Sequence, residues 1–239
     1  MQKIKDELNN FWIIIPARSG SKTIKNKNIV KFQGKPLLAH SIILGKKLKL
    51  GNVVVTSDSK KYLKIASKYG ADILHLRPKK FSKDKTSDLE VFKNFLNYVK
   101  KIGLTVPNFF IHLRPTSPIR KLSTLRKAIK LFLENKKKFT SMRSVSVMSN
   151  PSQKTMKIKK RKLCSVINND FDLDKFNKPK EFFEKTYLPN GYIDIVSIQN
   201  IKKNIFHGKK VLPFIINELN SDIDSKDDLN YLNYRIKIK

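Results

Sequence analysis

Residues 13–28 read IIIPARSGSKTIKNKN: a short apolar strand that breaks at Pro16 into a loop holding an arginine, a glycine, two serines and several amines. The apolar run with its immediate proline stop is the pattern of a buried strand feeding a loop at its carboxyl end. Arg18 can grip a phosphate bidentately, and Ser19-Gly20-Ser21 lets backbone N–H groups approach an anion closely. Lys22 adds a mobile positive charge. A basic surface turn after a first strand is the plain alternative, and the rest of the chain decides between them.

Working outward, strand and helix patterns alternate over the first two thirds, which argues for a mostly parallel sheet with helices on both faces. FWIII reads as the first strand and PLLAHSIILGKKLK as the first long helix. NVVVTS reads as a strand, KKYLKIASKYG as a helix with a glycine stop at Gly70, and ADILHL as a strand. Residues 88–101 read as a helix, NFFIHL as a strand, 123–134 as a helix after a serine cap, and TSMRSVSV as a fifth strand. From about 150 to 188 the pattern turns lysine-rich and weakly alternating, as in an inserted arm. NGYIDIVSI and VLPFII restore strands, and an acidic segment leads into a final helix. The expected organisation is one domain over 1–239 with the arm at about 150–188.

Composition narrows the classes. A chain of 239 residues, 40% hydrophobic with eight glycines and ten prolines, is globular. The net charge of +32 raises nucleic acid as a partner. Its lysines are spread along the chain (KKYLK, RPKKFSK, NKKKF, KIKKRK, IKKNI) with no basic arm, so a solvated surface that steers polyanionic substrates is the better reading. A single cysteine, Cys164, excludes an internal disulfide and a cysteine-based zinc site. The apolar stretch at 11–15 is too short for a signal-peptide core or a membrane span, so a soluble cytoplasmic protein is expected.

Ligands of open parallel sheets bind beyond the carboxyl ends of the strands. Four segments follow strands in that way. PARSGSK is the first. In TSDS at 56–59, Asp58 either caps the next helix or lines the pocket. In HLRPTSPIR at 112–120, two prolines fix the backbone while Arg114, Thr116, Ser117 and Arg120 turn polar groups into one loop. In SDIDS at 221–225, Asp222 and Asp224 stand two residues apart on an extended segment and share a side, an oxygen-donor pair suited to Mg²⁺ unless it is merely a solvated acidic turn. No G-x-x-x-x-G-K-[ST] and no G-x-G-x-x-G occurs. None of the four histidines stands out as a general base.

The ordered set IPARSGSK, KNKNI, GKPLL, VVVTSDS, YGADILHLRP, LRPTSPIR, LPNGYI and SDIDS resembles the acylneuraminate cytidylyltransferase family, the CMP-sialic acid synthetases, over nearly the whole chain. The resemblance implies a Rossmann-like nucleotide-diphospho-sugar transferase fold and a homodimer whose arm reaches the partner's active site. It implies CMP transfer from CTP to the anomeric hydroxyl of a nonulosonic acid, with release of pyrophosphate. Carried over by position, Arg18, Ser21, Lys22, Asn28, Arg77 and Ser87 bind the nucleotide, with Arg18, Lys22 and Asp222 in catalytic roles. Asp222 and Asp224 hold Mg²⁺. Arg114, Thr116, Ser117, Asn190 and Gly191 lie near the sugar, and Lys154 and Lys180 reach it across the dimer.

Departures fall mostly on the sugar side. Thr23 stands where the family has glycine, Arg114 for its glutamine, Lys180 for its arm arginine, Leu188 for the arginine before P-N-G, and Asp194 for its tyrosine. The expected sugar is therefore open among sialic, legionaminic and pseudaminic acids. Kdo ranks lower, because Kdo-activating relatives usually lack the G-S-K and K-N pattern. An inert relative that binds nucleotide and a basic nucleic-acid-binding protein are the competing readings.

Overall fold

The structure is a computed structural model, and it describes residues 10–218 and 222–238. Strand β1 (Phe11–Pro16) lies near the middle of a seven-stranded sheet. Its side chains alternate between two cores. Ile13 and Ile15 face one with Leu38, Ile42, Leu125, Ile129 and Phe132, whereas Trp12 and Ile14 face the other with Phe92, Phe95 and Val99. A strand apolar on both faces needs helices on both, and the chain supplies them.

On the first face lie α1 (Leu37–Leu48), α2 (Lys60–Lys68) and α4 (Leu122–Asn135). On the second lie α3 (Asp88–Lys101) and the short α5 (Ile198–Lys202). Helix α3 buries Val91, Phe92, Phe95 and Val99, one stripe at helical spacing. Its start is fixed by a capping box between Ser87 and Glu90. Truncating Phe92 or Phe95 to alanine should cost about 3–5 kcal/mol. Helix α2 is capped by Ser59, which accepts from Tyr62 N, and Gly70 beyond it takes φ +87°. Helix α4 corrects the expected serine cap: it begins at Leu122 after Lys121, Ser123 lies inside it, and Lys121 N donates instead to the Tyr192 hydroxyl at 2.7 Å.

The remaining strands of the sheet are β2 (Val53–Ser57), β3 (Ile73–Leu76), β4 (Phe109–His112), β5 (Ser141–Val147), β8 (Tyr187–Ser197) and β9 (Val211–Ile215). The sheet order is β9-β5-β8-β4-β1-β2-β3, and β8 alone runs antiparallel to its neighbours. The mostly parallel α/β reading holds. The carboxyl ends of β1, β2, β3 and β4 therefore open on one edge. Strand β8 starts three residues before the expected Asn190, and its pairing with β5 shifts between Pro189 and Asp194, so a bulge carrying Asn190 and Gly191 lies at that edge.

Between β5 and β8 the chain forms the arm. Its hairpin pairs β6 (Met156–Lys159) with β7 (Lys162–Ser165) through Lys160 and Arg161, both at positive φ as a tight twisted turn requires. Large apolar side chains are left uncovered there, with Ile158 78% and Phe182 74% exposed. The last helix, α6 (Lys226–Lys237), packs Leu232 with Ile223, Ile24, Phe32 and Leu37 in a third cluster. That cluster anchors the acidic segment before α6 against the loop after β1. Among the described residues no helix is long and apolar enough to cross a membrane.

Candidate active site

At the carboxyl edge a cleft of about 370 Å³ is lined by Arg18, Ser21, Lys27, Asn28, Arg77, Asp88, His112, Arg114, Thr116, Asp222 and Asp224, among others. The loop after β1 is pinned in two places. Asp58 takes both the N–H and the hydroxyl of Ser19, at 2.9 and 2.8 Å, and Asn28 Nδ2 donates to the Arg18 carbonyl at 2.8 Å. This resolves Asp58: Ser59 caps α2, and Asp58 clamps the loop and is not among the cleft-lining residues. It also corrects the expectation that the Ser19 N–H is open to an anion, because that donor already has a carboxylate.

The loop's cations meet an acid. Arg18 Nη1 lies 2.5 Å from Asp84 Oδ1 and Lys22 Nζ 2.6 Å from Asp84 Oδ2. Hydrogen bonds from Lys22 and Arg18 hold the Asp84 carboxyl below its usual range. Arg77, at the end of β3, is buried; Nε donates to Ser82 Oγ at 2.8 Å, and the buried Nη1 has no hydrogen-bond partner among the described residues. Burial lowers its pKa to about 10, so it stays cationic at neutral pH. A buried guanidinium with a spare donor at a strand end suits an anionic group. Ser87 is engaged as the cap of α3, while its neighbours Thr86 and Asp88 line the cleft.

The opposite wall is built around the loop after β4. Arg120, half-buried, donates to the carbonyls of Tyr192 at 2.6 Å, Gly191 at 3.0 Å and Arg114 at 2.9 Å, so it ties that loop to the β8 bulge. Gly191 sits at φ +66°, and a Cβ there would lie 3.0 Å from Ser117 Oγ and 3.3 Å from Arg114 Cδ. Asn190 donates to Ser146 Oγ at 2.9 Å and accepts from Tyr192 N at 3.1 Å, which shapes the bulge. Ser117 is buried behind it. Arg114 Nη2 binds Asp88 Oδ2 at 2.8 Å. Burial works against its charge, but Asp88, Asp194 and Asp222 outweigh that and raise its pKa. His112 is buried and pushed down to about 3 by burial, with Arg114 adding to it, so it is neutral in the cleft wall.

Asp222 and Asp224 line the cleft from a loop before α6, not from a strand end as the sequence suggested. Ile223 N donates to the Thr116 carbonyl at 2.8 Å, which brings the pair to the β4 loop. Buried Ile223 between two exposed acids keeps both carboxylates on the cleft side. Asp224 Oδ1 also binds Lys27 Nζ at 2.7 Å. The other two acids of that cluster are helix-start residues: Asp228 completes a capping box with Ser225, and Asp227 lies in the first turn. Among the described residues no group of three or more His, Cys, Asp or Glu side chains forms a complete metal cage. Two carboxylates facing a cation-lined cleft fit Mg²⁺, which takes one or two protein carboxylates and completes its shell with substrate phosphates and water.

Lys154 and Lys180 lie on the arm, outside the residues lining this cleft. Lys154 Nζ donates to the Lys178 carbonyl at 2.7 Å, and Lys180 lines a separate cavity with Pro151, Phe183 and Thr186. Sequence reasoning missed Asp84, Asp88 and Lys27. The signal was available for the first two, since the segment 77–88 follows β3 and the strand-end rule applies to it as to the others.

The family model described as Cytidylyltransferase matches residues 12–221. The chain is 36% identical over 218 residues to the N-acylneuraminate cytidylyltransferase of Escherichia coli O18:K1:H7, covering 90% of this chain and 49% of that protein. It thus spans about half the length of that relative. It is 28% identical over 221 residues to the CMP-N,N'-diacetyllegionaminic acid synthase of Legionella pneumophila, covering 88% of each. Among solved structures, a CMP:2-keto-3-deoxy-manno-octonic acid synthetase complexed with CTP superposes with TM-score 0.65 at 15% identity, covering 95% of this chain and 98% of that one. That last likeness speaks to the Rossmann-like nucleotidyltransferase fold alone.

Proposed function

The chain belongs to the cytidylyltransferase family, and from that premise we propose that it transfers CMP from CTP to the anomeric hydroxyl of a nonulosonic acid, releasing pyrophosphate. The observation that carries the reading is the make-up of the cleft: Arg18, Asn28 and Arg77 from the β1 and β3 ends, and Arg114 and Thr116 from the β4 loop, backed by the Gly191 bulge, with Asp222 and Asp224 lining the same cleft. The first set suits a triphosphate, the second an acidic sugar.

The attacking oxygen is the sugar's C2 hydroxyl. It bonds to the α-phosphorus as the bond to the pyrophosphate oxygen breaks, and the hydroxyl proton passes to solvent. Positioning and charge neutralisation supply most of the catalysis in such transfers. Arg18 and Lys22 neutralise phosphate oxygens once released from Asp84, and Arg77 offers its spare Nη1 donor from the buried side. Asn28 holds the loop at the Arg18 carbonyl and so fixes where Arg18 starts. Asp222 and Asp224 would hold Mg²⁺, which when bound supplies Lewis-acid stabilisation of charge on the phosphates.

The sugar is a sialic-type acid, with legionaminic acid the other candidate favoured by the names of the relatives. A homodimer is part of the proposal, supported by the uncovered apolar arm. In it Lys154 and Lys180 would serve the partner's cleft. A reducing, cytoplasmic setting is supported by the single, buried cysteine. The direct test is pyrophosphate release from each nucleoside triphosphate with Mg²⁺ and a panel of sialic, legionaminic and pseudaminic acids and Kdo. Release with CTP and a nine-carbon acid is expected; no release above background with any pair would sink the reading.

A further inference from the structure

Asp194 lies on β8 beside the bulge, with 2% of its surface exposed and three basic side chains around it. Arg114 Nη2 is 3.7 Å from Oδ2, Arg143 Nε 3.8 Å from Oδ1, and His112 Nδ1 3.9 Å from Oδ2. All three stand just beyond hydrogen-bond length, and Oδ1 has no hydrogen-bond partner among the described residues. A buried carboxylate so incompletely paired costs folding free energy, so stability does not account for it.

What it does do is set Arg114. That guanidinium is gripped by Asp88 at 2.8 Å and faces Asp194, and both contacts use Nη2. Nη1 and Nε take no part in either contact, in a residue that lines the cleft and whose positive charge Asp222 also favours. The absent Cβ of Gly191 leaves room for Arg114 Cδ. A guanidinium with two such donors is the fork that matches a carboxylate. Arg143 stands within reach of the same buried charge, which keeps the two arginines from driving each other apart.

We propose that Asp194 is a positioning residue for the acidic substrate: its buried charge, acting with Asp88, orients Arg114 so that the free edge of the guanidinium takes the sugar's carboxylate. This rests on the functional reading above and goes beyond it by naming the group that sets sugar affinity without touching the sugar.

The test is D194N, an isosteric change that removes the charge, measured beside wild type, R114A and the double variant. Expected are a sugar-acid KM at least tenfold higher in D194N, a CTP KM within twofold of wild type, and less than a twofold further effect of D194N in the R114A background. An unchanged sugar KM, an equal rise in both KM values, or effects that multiply fully in the double variant would overturn it. Should D194N not fold, D194E moves the charge by one methylene and is read by the same split. Thermal shift with CTP alone and with sugar acid plus CMP needs no turnover. Wild type that binds neither overturns the functional reading and this inference with it, whereas wild type that turns over while D194N keeps its sugar KM overturns this inference alone.

Discussion

The guanidinium of Arg18 meets the carboxylate of Asp84 at 2.5 Å, and Lys22 takes the other Asp84 oxygen at 2.6 Å. Two cations of the loop after β1 are thus already neutralised by an acid from the segment after β3. Exposed ion pairs are weak and easily exchanged, so under the proposed function Asp84 would compete with a triphosphate for both cations. D84N should lower the KM for CTP by about twofold to fivefold at low salt, and the gain should shrink as salt screens the pairs. Initial rates against CTP at two ionic strengths check this. A higher KM in D84N would mean that Asp84 orients the cations instead of competing for them.

Asp222 and Asp224 flank buried Ile223, so their carboxylates can be removed without opening the third core cluster. D222A and D224A should each lower kcat by about a hundredfold or more, the loss expected when a metal's stabilisation of phosphate charge is removed. Their melting temperatures should stay within about 2 °C of wild type, since exposed substitutions cost little. Chelation should abolish wild-type turnover and added Mg²⁺ should restore it. Near-normal kcat in either variant would remove that acid from the metal site.

Ser87 separates a structural role from a binding one. Its hydroxyl caps α3 and bonds Glu90, so S87A should cost about 1 kcal/mol and lower the melting temperature by about 2–4 °C in a chain of this size. The KM for CTP should not change. A several-fold rise in that KM with an unshifted melting curve would return Ser87 to the nucleotide pocket.

These cases show where sequence reasoning reaches and where it stops. Trp12, Ile13, Ile14 and Ile15 alternate between two cores, a local pattern that dictated helices on both faces and with them the site at the strand ends. Asp58 was undecided because its partner, Ser19, is 39 positions away, and nothing local distinguishes a helix cap from a long-range clamp. The spacing of Asp222 and Asp224 singles out the acidic pair, although the pair lies on a loop before α6 and not at a strand end. Its side-by-side placement comes from Ile223 anchoring in a core shared with Ile24 and Leu232, a contact across most of the chain. Asp194 looked like a departure on the sugar side, but only the fold shows that it faces Arg114 and Arg143 together.

Gly191 is the next test of the bulge. At φ +66° an alanine is strained by about 1–2 kcal/mol, and its Cβ would press on Ser117 Oγ and Arg114 Cδ. G191A should raise the KM for the sugar acid more than that for CTP, because Arg114 moves while Arg18 and Arg77 do not. Kinetics with each substrate varied in turn would show it, and equal effects on both would point to general loosening instead.

The histidines make a prediction about acid. Burial lowers His75 to about 4, with Arg77 contributing, and lowers His207 to about 4, with Arg143 contributing; His112 falls to about 3. In the unfolded chain each takes up a proton near 6.5. Below that pH the unfolded state binds more protons than the folded one, so the contribution present above pH 6.5 is lost as pH falls from 6.5 through 4. Asp194 works in the opposite direction: burial raises its pKa, so on acidification the folded state takes up its proton first. Four histidines, with His40 also lowered by its burial, against one raised carboxylate leave the net sign destabilising. The urea midpoint should therefore be flat from pH 7.5 to about 7 and decline steadily between pH 6.5 and 4.5. The usual carboxylate range lies below most of that window, so acids held low, such as Asp228 with its hydrogen bonds from Ser225, do not produce the decline. A midpoint constant across the window would mean that the buried imidazoles are solvated or paired in solution.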